Sequence, residues 1–136
     1  MTRLGTLRAP TLADFEAMAH EAFAGLPHAF RARCGGLTIH VEEFPDDETL
    51  VEMGCETDFE LLGLFRGIGL AQSGEVVTGQ MPNAVWLYRR PILDYWAESD
   101  ETLGDVITHV LVHEIGHHFG LSDDDMARIE DEAEVG

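Results

Sequence analysis

His113-Glu114-Ile115-Gly116-His117-His118-Phe119-Gly120-Leu121-Ser122-Asp123 is the stretch on which the reading of this chain turns. Its spacing is HExxHxxGxxD. Residues four apart on a helix project the same way, so His113 and His117 form a pair able to grip one metal ion. Glu114 sits off their axis, where a carboxylate can take the proton of water activated by that ion. Gly120 suits the left-handed position that ends a helix and reverses the chain. Asp123 beyond it can swing back as a third ligand. Ser122-Asp123-Asp124-Asp125 is also a good helix start, with Ser122 as cap and acidic residues in the first turn. Asp124 is then the substitute ligand.

The periodicity predicts that the helix bearing this stretch runs from about Glu101 to Phe119, capped by Ser99 or Asp100. Ile107, Leu111, Val112, Ile115 and Phe119 cover one broad side, and Val106 and Val110 the other. A helix apolar nearly all round is buried. Along it, His109, His113 and His117 nonetheless form a polar stripe. Imidazoles and a carboxylate buried without partners are costly, and a metal ion relieves that cost. His109, one turn before His113, fits a supporting hydrogen-bonded histidine or an alternative ligand. His118 points away from the stripe. The plain alternative is a core helix whose histidines hold no metal.

Outward from this helix the pattern is mixed. Thr11 caps a helix carrying Phe15, Met18, Ala19, Ala22 and Phe23, broken by Gly25 and Pro27. Phe30 to Cys34 fit a short turn. Leu37 to Val41 alternate as a strand does. Asp46 or Asp47 caps a short helix with Leu50, Val51 and Met53. Glu60 to Arg66 fits a strand or a short helix, and a strand is preferred. Gly67 to Asn83 reads as a long loop or irregular hairpin. Ala84 to Arg89 is the clearest strand, closed by Pro91, which opens a short helix through Trp96. A short helix after Ser122 carries Met126 and Ile129, and Glu130 to Glu134 read as a solvated acidic end. The sum is an α+β fold, a small sheet covered by helices, in one domain over residues 1–136.

Composition narrows the function. The chain of 136 residues has a formal net charge of −18, which repels nucleic-acid phosphate and anionic lipid. Neither nucleic acid nor membrane is therefore an expected partner, whereas a basic peptide is compatible. Cys34 and Cys55 have no metal or redox spacing and read as small buried or half-buried thiols of a reducing compartment. No signal core follows Arg3 and Arg8, and no segment approaches a membrane span, so a cytoplasmic location is expected.

Taken with its surroundings, the motif resembles a small bacterial zincin-like metallopeptidase family, sometimes described as mini-zincins. Ala24-Gly25-Leu26-Pro27, Glu60-Leu61-Leu62-Gly63-Leu64-Phe65-Arg66-Gly67 and Leu87-Tyr88-Arg89-Arg90-Pro91-Ile92 share in the resemblance, which runs from about Asp14 to Met126. It implies a zincin-like α+β fold with a small mixed sheet and a central HExxH active-site helix. It also implies one zinc ion on His113, His117 and Asp123, with Glu114 catalytic and a peptide or protein as substrate. Such a site needs a donor for the oxyanion, for which Tyr88, Arg89 and Arg90 are candidates. It also needs a strand edge to hold the peptide, near Leu62 or Val85. The methionine-bearing turn of larger metzincins has no counterpart, because Met126 falls inside an expected helix, and something else must floor the site. Two functional readings follow: a zinc-dependent peptidase, or a non-catalytic metal-binding or protein-interaction module on the same scaffold.

Overall fold

The computed structural model describes residues 4–67 and 83–135. A 3-10 turn at Leu4–Thr6 precedes α1 (Leu12–Ala24), α2 (His28–Ala32), β1 (Thr38–Glu42) and α3 (Asp47–Glu52). Then come β2 (Gly63–Arg66), β3 (Ala84–Tyr88), α4 (Arg89–Glu98), α5 (Leu103–His118) and α6 (Asp123–Val135). Most of the expected loop, residues 68–82, lies outside the described residues.

The three strands form one mixed sheet in the order β1-β3-β2. β3 pairs in parallel with β1, Ile39 opposite Val85, and antiparallel with β2, Leu64 opposite Trp86. β3 is thus the central strand, buried at four of its five positions, as its unbroken apolar run requires. β1, with one face wet, keeps the period-two alternation of burial.

Local chemistry fixes the helix starts. Thr11 and Asp14 exchange side-chain and backbone hydrogen bonds of 3.1 and 2.9 Å, a complete capping box for α1. Asp46 caps α3 by accepting from the Thr49 N–H at 2.7 Å. Several boundaries differ from those read in the sequence: β1 covers Thr38–Glu42 rather than Leu37 to Val41, β2 starts at Gly63 rather than Glu60, and β3 ends at Tyr88 rather than Arg89. α4 begins at Arg89, two residues before Pro91, since a proline in the first turn forfeits no helical hydrogen bond. α5 starts after Thr102, whose hydroxyl takes the Asp105 N–H, rather than after Ser99 or Asp100. α6 is a helix of 13 residues, longer than the short one expected after Ser122; Asp131 and Glu132 in it are exposed, whereas Glu130 is half-buried.

α5 contributes to both apolar clusters. Val106, Ile107, Val110 and Leu111 join Phe15, Ala19, Val85, Leu87 and Ile92 between α1 and the sheet. Val112 and Ile115 join Leu26, Phe30, Cys34 and Met126 on the other side. An apolar surface nearly all round predicts burial on two sides, but the sides divide differently from the sequence reading, since Ile107 and Leu111 pack with Val106 and Val110 rather than with Val112 and Ile115.

Candidate metal centre

The motif occupies the last turns of α5 and the reversal after it. Gly120 has φ +71°, the left-handed conformation that glycine adopts without a Cβ penalty. Its N–H donates to the His117 carbonyl at 3.1 Å, and the Leu121 N–H donates to the Gly116 carbonyl at 2.9 Å. These two bonds form the Schellman pattern, so α5 ends where Gly120 in the sequence says it should. Ser122 then caps α6 by accepting the Asp125 N–H at 3.1 Å. Cap and acidic first turn are thus divided among different residues. Ser122 does the capping, and Asp123 opens α6 with its side chain exposed.

α6 runs back along α5. A Cβ built on Gly116 would stand 2.5 Å from Met126 Sδ, so the missing side chain is the space that Met126 fills. Met126 is fully buried there. It floors the end of α5 from within a helix, with no separate turn.

His113 lies midway along the stripe. Its ring is 3.9 Å from that of His109 and 5.7 Å from that of His117, the latter edge-on. Its pKa is held below the ordinary histidine value, chiefly by burial. His109 and His117 push the same way, while Glu130 and Asp123 oppose them. A neutral imidazole is the form that ligates a metal. Glu114 is half-buried against β2, its Cγ 3.3 Å from a Cβ built on Gly63. Burial raises its carboxyl pKa above the ordinary value, with His117 opposing.

Among the described residues, one group of three ligating side chains brings its atoms within 4.8 Å of one another: His109, His113 and Glu130. His117 and Asp123 are not in that group. His113 Nε2 faces Glu130 Oε2 at 3.8 Å, and His109 Nδ1 hydrogen-bonds Glu130 Oε1 at 2.7 Å. Glu130, assigned by its neighbours to a solvated end, therefore faces α5. The signal was present: Met126, Ile129, Glu130 and Ala133 have helical core spacing, and Glu130 occupies one of those four positions. A set of two imidazoles and one carboxylate, with burial favouring the neutral form of His113, suits zinc.

The neighbouring candidates divide. Tyr88 is buried, its hydroxyl pKa pushed up to about 12 mainly by burial, and Glu114 is among the charges acting on it. Tyr88 borders a cleft of about 390 Å³ together with Glu42, Asp46, Glu52, Arg66 and Trp86. Arg89 instead donates to the Pro10 carbonyl at 2.6 Å and to Glu43 at 2.8 Å. Arg90 stacks over Phe44. His118, off the stripe as expected, stacks on Phe65 at 4.1 Å. Of the two suggested strand edges, that of Val85 is corrected, since β3 pairs on both sides, whereas β2 lies at an edge of the described sheet.

Helices around a small mixed sheet, with two imidazoles and one carboxylate converging where the longest helix meets the last, define the class: an α+β domain with side chains on its longest helix that could hold a metal ion. The model of the zincin-like metallopeptidase family matches residues 34–133, most of the 136-residue chain, and the chain belongs to that family. Metallopeptidases of this kind generally bind zinc. Comparison with curated proteins gave no match. Among the described residues, no helix is long and apolar enough to cross a membrane.

Proposed function

We propose that this protein is a zinc-dependent peptidase, with His113, His117 and Asp123 holding one zinc ion and Glu114 as general base. The observation that carries the reading is the placement of Glu114. Glu114 is half-buried beside β2, at the edge of the described sheet, one residue from His113, whose pKa burial holds down. Zinc, when bound, supplies a Lewis acid that acidifies water and polarises a carbonyl. Glu114 takes the proton of the attacking water and returns it to the leaving amine, and its raised pKa makes it the stronger base for that task. The edge of β2 offers backbone groups to an extended peptide. Tyr88, protonated at neutral pH, is the donor assigned to the oxyanion. The acidic cleft beside it and the net charge of −18 favour basic peptides over nucleic acid or anionic membranes. A cytoplasmic setting suits Cys34 and Cys55, both free thiols.

The test compares zinc content and hydrolysis of a diverse peptide library for the wild type and Glu114→Gln. The expected result is unchanged zinc content and a loss of about 10²–10⁴-fold in turnover, the range for removing a general base. A zinc-loaded wild type that cleaves nothing in the library would sink the peptidase reading and leave the non-catalytic metal-binding module.

A further inference from the structure

Glu130 reaches α5 one turn before the motif pair. It accepts from His109 Nδ1 at 2.7 Å while its second oxygen stands 3.8 Å from His113 Nε2. Ligands about 2.0–2.2 Å from a tetrahedral zinc stand roughly 3.3–3.6 Å apart. The His113–Glu130 separation is therefore within a few tenths of an ångström of a bridging geometry, a change that side-chain torsions supply. The three side chains are 45%, 27% and 23% exposed for His109, His113 and Glu130, open enough for an ion to enter. Glu130 also lines an open cavity of about 330 Å³ with Glu21, Glu101 and Asp105, whose carboxylates attract cations.

We propose that His109, His113 and Glu130 form a second metal position for zinc or a similar first-row divalent cation, sharing His113 with the motif. His113 presents the same Nε2 to Glu130 that a helical histidine pair presents to an ion, so the two positions are alternatives. An ion at one displaces an ion from the other. Glu130 thus has two states: hydrogen-bonded to His109 without metal there, and ligating when the position fills. This position does not depend on whether the chain cleaves peptides.

Titration with Zn²⁺ and Co²⁺, followed by calorimetry and by Co²⁺ visible absorption, tests it on four proteins: wild type, His117→Ala, Glu130→Gln and the double variant. His117 is exposed and Glu130→Gln is isosteric, and far-UV circular dichroism checks the fold of each. His117→Ala is expected to retain one Co²⁺ or Zn²⁺, with the His109 imidazole NMR signals shifting on addition. Adding Glu130→Gln is expected to weaken that binding at least 10-fold and to abolish the His109 shift. Loss of all binding in His117→Ala, while the wild type binds, would overturn the second position and leave the peptidase reading intact. Unchanged affinity in the double variant would overturn the role of Glu130. A wild type that binds neither ion would overturn both.

Discussion

Cys34 is 2% exposed, and its thiol donates to the Phe30 carbonyl at 3.4 Å. Burial pushes its pKa from 9.0 up to about 11. Between those values an unfolded chain has lost the proton and the folded chain keeps it. The stability linked to this thiol is therefore whole below pH 9 and declines as the pH rises to about 11. The loss is on the order of 3 kcal/mol at most, about two pH units at roughly 1.4 kcal/mol each. Melting curves at pH 8 and pH 11 should converge more closely for Cys34→Ala than for the wild type. An equal drop in both proteins would show that Cys34 does not titrate this way. Glu114 follows the same physics in a different role, since burial that makes a carboxylate costly also makes it basic.

At the scale of elements, the pairing of α5 with α6 decides where the ligating groups meet. Gly116 is the contact that sets their distance, because Met126 occupies the volume a side chain would need. Glycine to alanine inside a helix ordinarily stabilises by about 0.5–1 kcal/mol. Gly116→Ala should instead destabilise by about 1–2 kcal/mol, since overpacking a full core outweighs that gain. Gly104→Ala, on the same helix with nothing within 4 Å of the added carbon, should be neutral or stabilising by about 0.5 kcal/mol. Denaturant unfolding of the two variants measures the difference. Equal effects would mean that Met126 yields freely and that the helix spacing is not set at Gly116.

For the whole molecule, 26 acidic residues face 8 arginines and no lysine. Ion pairs such as Arg66–Glu52 and Arg89–Glu43 neutralise few of them and lie toward the surface. The folded chain therefore repels itself, and salt relieves that repulsion. Raising NaCl from about 10 to about 150 mM shortens the screening length from roughly 30 to 8 Å and should raise the melting temperature by several degrees. Substituting an equal concentration of a neutral osmolyte should not reproduce a screening effect. A melting temperature that falls with NaCl would mean that specific ion pairs outweigh the net charge.

The sequence by itself determined the α+β class, the strand that starts at Ala84, the helix bearing the motif and its end at Gly120. These rest on periodicity, turn chemistry and the conformational freedom of one glycine, all of which act within a few residues. The alignment of His113 and His117 on one helix face is equally local. Boundaries shifted where competing caps were close in sequence, as with Ser99, Asp100 and Thr102. Only the tertiary structure decided that β3 is central, that Met126 fills the space left by Gly116, and that Glu130 reaches His109 and His113. Each of these depends on how one element lies against another. Glu130 reads in the sequence as part of a charged tail, because charge is legible there and direction is not. The direction it faces is set by the packing of Met126, Ile129 and Ala133 on α5 and its surroundings.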